Sequence, residues 1–272
     1  MNGALCDELC VAWPARAEAV VRSLPPAVQT IADYLIANEG YLWSTIRREG
    51  VTCLVCTTPV DPGTTLCRRC TEHRESGIPI ADQVGSLIYA PYGEQSYHLV
   101  KNYKADAPGP NLQDKMASLL AVGLRGHTPC VMALAGATAA AWAVVPSLRQ
   151  PDRPQPLRLL VESMARNPGI RMRAGELVGD PRALVPAHFI VEPDQEVPDF
   201  VILIEDSWVS GGHAQSAAAA LKLWGVRHVA IFNVARVLDP NWEPTAQFMT
   251  RHRSERSFDP LRCPWTYGPC PE

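Results

Sequence analysis

The stretch Phe200-Val-Ile-Leu-Ile-Glu205-Asp206-Ser207-Trp208-Val209-Ser210-Gly211-Gly212-His213, running on into Ala214-Gln-Ser-Ala-Ala-Ala-Ala-Leu221, constrains this chain more than any other. An unbroken hydrophobic run of this length reads as a strand buried on both faces. Two adjacent acids, Glu205 and Asp206, end it. A turn of small residues with two glycines follows, and then an alanine-rich helix. That order suits an anion, because turn N–H groups and the positive end of the helix point at one spot. The acids stand where open α/β sheets bind ligands, at the carboxyl end of a parallel strand. There they can accept hydrogen bonds from the 2′- and 3′-hydroxyls of a sugar. They precede the glycines, the reverse of the dinucleotide fingerprint G-x-G-x-x-G. The plain alternative is a solvated strand end.

The surrounding pattern agrees with an α/β sheet. Strands are expected at Ser86–Tyr92, Trp142–Pro146, Ala187–Val191, Phe200–Ile204 and His228–Val234. Helices are expected at Val28–Arg48, Asn111–Leu124, Gln155–Arg166 and Gly212–Trp224. Short Val- and Ile-rich runs separated by helices predict a parallel sheet covered on both faces. The chain divides into a helical N-terminal extension (1–50), a cysteine-rich module (51–75), an α/β domain (80–245) and an irregular tail (246–272). Residues 1–50 read as a homodimer contact or as a cover over the cysteine module.

The cysteine module holds Cys53-Leu-Val-Cys56 and Cys67-Arg-Arg-Cys70, two CxxC pairs with ten residues between them. Each pair sits on a tight turn that aims two thiolates at one point, and two such knuckles complete a tetrahedral zinc site. With four protein ligands there is no spare position, so the Zn²⁺ is structural. It would hold together a segment too small to fold on its own core. Free thiols or a redox CxxC pair do not explain the symmetry. Cys6 and Cys10 sit at helical spacing, and Cys263 and Cys270 flank a Pro- and Trp-containing loop. A joint metal site using both chain ends is one reading of these four. Cys130 reads as a buried small residue.

Net charge of −3 argues against a surface that tracks nucleic acid throughout. The opening MNGALCDELC is acidic and has no positive segment followed by an apolar one, so no secretory signal is expected. The longest apolar stretch, 131–145, is too short for a membrane span and reads as a short helix running into a strand. A cytoplasmic protein with no membrane partner is expected. Locally the charge reverses: from Ser147 to Arg173 there are six arginines against Asp152 and Glu162. Such a patch fits polyphosphate.

The segment Val201–His213 resembles the motif that binds 5-phosphoribosyl-1-pyrophosphate (PRPP) in type I phosphoribosyltransferases. It departs from that motif at Trp208, where the family has a small aliphatic residue, and at His213, where it usually has Ser or Thr. A four-cysteine ribbon, then Tyr89-Ala-Pro-Tyr92-Gly93 and Leu99-Val-Lys101-Asn-Tyr103-Lys104, then Val144-Val-Pro146-Ser147-Leu148-Arg149, resembles the ComF-type (competence protein F) amidophosphoribosyltransferase-like family over about residues 50–240. That family usually has Arg-Gly-Phe-Asn after the Val-Pro strand; this chain has Arg153-Pro-Gln-Pro156.

The resemblance implies a type I phosphoribosyltransferase-like fold that binds PRPP with Mg²⁺ and transfers 5-phosphoribosyl to a nitrogen nucleophile. In that reading Glu205 and Asp206 hold the ribose, and residues Ser207, Trp208, Val209, Ser210, Gly211, Gly212 and His213 anchor the 5′-phosphate. Pro146, Ser147, Leu148 and Arg149 take the pyrophosphate, with Arg153 adding charge. Arg171 and Arg173 lie where the family's mobile loop begins and Arg182 in or just after it; Arg173 is the catalytic candidate. Lys101, Tyr103 and Lys104 touch phosphate or nucleic acid, or form a solvated helix face with one buried tyrosine. The alternative function is a protein without turnover, acting in DNA uptake with single-stranded DNA or a competence-type partner, or responding to PRPP.

Overall fold

A computed structural model describes residues 23–266 and 268–271. Four strands form a parallel sheet in the order β1-β6-β5-β2: β1 Gln83–Pro91, β6 His228–Leu238, β5 Phe200–Trp208 and β2 Ala141–Val144. The central strands are buried nearly end to end, as expected when both faces are covered. β5 is longer than its hydrophobic run suggests. It continues through Glu205 and Asp206 because β6 stays paired with it as far as Trp208↔Arg236.

Side chains alternate along each strand, so the two faces hold different cores. Ile202, Ile204, Ala230 and Phe232 point into one core with α1 (Pro26–Asn38), α4 (Leu112–Leu120), α5 (Gly126–Ala135) and α6 (Pro156–Met164). Val201, Leu203, Val229 and Ile231 point into the other, with α7 (Gly212–Trp224) and Cys53, Cys56 and Cys70 of the cysteine module. The module therefore shares its core with the sheet. α2 (Arg68–Glu75) carries Cys70.

Three further elements depart from expectation. The first helix stops at Asn38, well short of Arg48. Beyond Gly40 the chain extends, and residues 43–45 lie beside the exposed edge of β1: Tyr89 N–H donates to Trp43 O at 2.7 Å and Thr45 N–H to Leu87 O at 3.1 Å. Covering an edge strand outweighs the local helical spacing there. The second departure is a continuous helix over Leu112–Ala135, formed by α4, a π-helical turn at Ala121–Arg125 and α5. Gly123 in the π turn lets the Phe232 ring press against the backbone where a Cβ would collide. Pro129 follows four residues after Arg125, whose carbonyl cannot receive a helical N–H from it. Among the described residues this is the one helix long and apolar enough to cross a membrane, but 50% of its most apolar window is buried inside the protein. It is packed as a core helix.

The third departure lies between β2 and β5. The expected strand at 187–191 shortens to β4 (Phe189–Val191), which pairs antiparallel with β3 (Met172–Ala174) as a separate ribbon. Between them, residues 180–185 fold back over the start of α7. The Val185 N–H donates to Ser216 Oγ at 2.8 Å, and Ser216 Oγ donates to Gly212 O at 2.6 Å. α3 (Gln95–Asn102) follows β1. α8 (Glu243–Arg251) begins a tail that then crosses the first core, burying Phe258, Cys263, Trp265 and Cys270.

Candidate functional site

Glu205 and Asp206 stand at the carboxyl end of β5, both mostly buried and both facing a cleft. Each already has partners. Asp206 Oδ2 lies 2.6 Å from Lys104 Nζ and accepts the Tyr103 hydroxyl at 3.0 Å, while Oδ1 accepts the Ser207 hydroxyl at 2.7 Å. Burial, then the Asp206 charge and its hydrogen bond, push the Tyr103 phenol well above its usual value. Tyr103 is therefore a fixed donor. Glu205 Oε1 lies 2.7 Å from His213 Nδ1. Burial disfavours the imidazolium, but the charge and hydrogen bond of Glu205, with Asp206 behind it, outweigh that and raise the His213 pKa.

The turn after β5 is held from beneath. Arg236 on β6 is buried, and its Nη1 donates to Trp208 O at 2.7 Å and to Val209 O at 2.8 Å. Its Nη2 donates to Thr58 Oγ1 in the cysteine module at 2.6 Å. With two turn carbonyls committed to Arg236, the turn bends sharply at Gly211, where φ is +86°. The Trp208 ring lies against Gly211 and is buried in the second core. No hydrogen bond joins the N–H of Ser210, Gly211, Gly212 or His213 to a backbone carbonyl among the described residues. These four N–H groups, at the start of a 13-residue helix, form the anion-binding potential of the turn. The backbone of Arg182 covers Gly212 on its Cβ side.

The cleft lies outside the ends of β5 and β2. Its first lobe, about 420 Å³, is lined by Lys101, Tyr103, Lys104, Ser147, Arg149, Arg153, Glu205, Asp206 and His213, among others. A second lobe of about 310 Å³ shares Lys104, Ser147, Arg149 and the two acids and extends over 207–211 to Leu148 and Arg182. The residues expected from three separated segments, 101–104, 147–149 and 205–213, thus line one cavity. Pro146 and Gly212 are not on its wall; Gly212 packs against the backbone of Arg182. Arg153 turns toward Asp106 and the Lys104 carbonyl. Arg171 pairs with Glu192. Arg173 lies exposed on β3, off the cleft wall, and its Nη1 donates to the Ala174 carbonyl at 3.5 Å.

Cys53, Cys56, Cys67 and Cys70 bring their sulfurs within 4.8 Å of one another, a group that can hold a metal ion. Hydrogen bonds from Cys56, Cys67 and Cys70 hold the Cys53 thiol far below its usual pKa, while the contacts with Cys53, Cys56 and Cys67 push Cys70 far above it. Packed thiols of this kind lose all their protons together only when a cation replaces them.

Sequence spacing did not reveal the membership of a second group. His127, Cys130, Cys263 and Cys270 converge within 4.8 Å, all four buried. Cys130 is buried as expected, but as a member of this group and not as an isolated small residue. The joint metal site of Cys263 and Cys270 with Cys6 and Cys10, one reading of the sequence, involves two cysteines outside the described residues. The signal in the sequence is H-x-x-C on an apolar helix, which is weak without its partners more than 130 residues away.

No family model matches the chain, and no curated protein matches it.

Proposed function

We propose that the cleft at the tips of β5 and β2 binds PRPP, and that the chain is a type I phosphoribosyltransferase-like protein of the ComF kind with a structural Zn²⁺ in its four-cysteine ribbon. The observation that carries this reading is the meeting of Glu205 and Asp206 with Ser210, Gly211 and His213 of the turn and with Arg149 around one cavity. The acids accept from the ribose hydroxyls. The turn amides and the N-terminus of α7 take the 5′-phosphate. Ser147 and Arg149 face the pyrophosphate, and Arg182 closes the second lobe. Mg²⁺ would accompany the substrate and offset the charge that builds on the leaving pyrophosphate.

The transfer breaks the bond between ribose C1 and the pyrophosphate oxygen and forms a bond from C1 to a nitrogen nucleophile, with the nitrogen's proton passing to solvent. Positive charge builds on the ribose ring as pyrophosphate leaves. The protein contributes positioning and electrostatics: carboxylates beside the ring and cations beside the leaving group. Asp206 must exchange its Lys104 contact for a ribose hydroxyl, and Lys104 is then free to meet phosphate.

Two observations favour the alternative of a protein without turnover. Both carboxylates already have partners within the protein, and residues 180–185 already lie over the first turn of α7. A screen of nucleobases and small amines for pyrophosphate release, with Mg²⁺ and PRPP, separates the two. Release that depends on one acceptor and is lost in Asp206→Asn supports transfer. Binding of PRPP with no release from any acceptor leaves a PRPP-responsive protein. A salt-dependent shift of single-stranded DNA without PRPP binding favours the DNA-uptake reading instead.

A further inference from the structure

We propose that His127, Cys130, Cys263 and Cys270 bind a second zinc ion, as a closed structural site that fastens the C-terminal segment to the long helix on the sheet face opposite the cysteine ribbon. The ligands come from two places. His127 and Cys130 are three residues apart on α5, so they share one face of that helix. Cys263 and Cys270 flank a loop closed by the Thr266 hydroxyl, which donates to Gly268 O at 2.8 Å and lies 2.9 Å from Pro269 O.

The geometry is that of a tetrahedron. With Zn–S near 2.3 Å and Zn–N near 2.0–2.1 Å, neighbouring ligand atoms lie about 3.6 Å apart for nitrogen to sulfur and about 3.8 Å for sulfur to sulfur. His127 Nδ1 lies 3.3 Å from Cys270 Sγ and 3.9 Å from Cys130 Sγ, and all four ligand atoms fall within 4.8 Å of one another. The other nitrogen of the ring fixes its role. His127 Nε2 lies 2.9 Å from the Pro260 carbonyl, which can only accept, so Nε2 carries the hydrogen. In the neutral ring Nδ1 then presents its lone pair to the three sulfurs, the arrangement by which second partners orient a metal-binding histidine.

Burial decides the class of site. All four residues are buried, and none of the cysteines is in a disulfide. Three sulfurs and one imidazole make a soft donor set suited to zinc, and four protein ligands fill its tetrahedron. The ion would hold the segment around Trp265 in place. That ring packs against Gly85 of β1, where a Cβ would come within 2.7 Å of it, and 5.9 Å from Phe232, the β6 residue in register with Gly85. The first cysteine group sits in the core of the opposite face, so each face of the sheet carries its own metal knot.

Zinc content of the full chain, by native mass spectrometry and elemental analysis, tests this. The wild type should hold two zinc ions, Cys263→Ser/Cys270→Ser one, and Cys6→Ser/Cys10→Ser still two. One zinc in the wild type overturns the proposal, as does retention of two in Cys263→Ser/Cys270→Ser or loss of one in Cys6→Ser/Cys10→Ser. If Cys263→Ser/Cys270→Ser does not fold, X-ray absorption of the wild-type zinc decides. One nitrogen to seven sulfur ligands, summed over two ions, supports the site, and an all-sulfur environment overturns it.

Discussion

Arg236 Nη2 donates to the Thr58 hydroxyl at 2.6 Å, and this contact joins the four-cysteine ribbon to the glycine turn of the cleft. The same guanidinium holds the carbonyls of Trp208, Val209 and Val237. Replacing it leaves several buried acceptors unpaired, each worth about 1–3 kcal/mol. Arg236→Met should destabilise by about 3 kcal/mol or more, a fall of roughly 6–12 °C in melting temperature for a chain of this size. Arg236→Lys should recover little, because an ammonium cannot span the fork. Thermal unfolding followed by circular dichroism measures both.

Two glycines with nearly equal φ separate strain from packing. Gly211 has φ +86° with the Trp208 ring against it; Gly93 has φ +84° with nothing within 4 Å of the place a methyl group would occupy. Gly93→Ala should cost about 1–2 kcal/mol, the left-handed penalty alone. Gly211→Ala should cost more by a further ~1–3 kcal/mol, because the ring must move within a packed core. Denaturant unfolding of the two variants gives the difference.

The pair His213–Glu205 should make part of the stability pH-dependent. The His213 pKa is raised above 6.5, against burial, chiefly by Glu205. Its contribution is therefore complete below about pH 6.5 and is lost as pH rises through the raised value. NMR titration of the His213 ring should find its midpoint above 6.5, and Glu205→Gln should bring that midpoint down.

Removing metal should loosen the ribbon and, through Thr58 and Arg236, the turn. A strong chelator should lower the melting temperature and speed amide exchange first in residues 51–60 and then around 208–211. Unchanged exchange at 208–211 would show that Arg236 holds the turn without help from the ribbon.

Much of this is legible in the sequence, and for identifiable reasons. The Phe200–Leu221 segment carries its own strand, turn and helix signals, and α7 spans Gly212–Trp224 as expected. The CxxC pairs converge because their ligands are close in sequence. What spacing cannot supply is long-range pairing. Residues 43–45 abandon a helical pattern because β1 offers an edge, and His127 and Cys130 meet Cys263 and Cys270 only through the fold. In the sequence, the case for Arg173 rests on its neighbourhood in the chain alone. The fold places it on the β3–β4 ribbon, while Arg149 and Arg182 line the cleft.

Calorimetric titration of the full chain with PRPP and Mg²⁺ addresses the ribose-phosphate site most directly. Saturable heat is predicted for the wild type, weakened at least about tenfold in Asp206→Asn, since loss of a hydrogen bond from a charged partner is worth about 1.5–3 kcal/mol. Arg149→Ala should also weaken binding, and Arg173→Ala should leave it unchanged. No heat with the wild type, or equal affinity in Asp206→Asn, would contradict the assignment of the β5 tip as the place where a phosphorylated ribose is held.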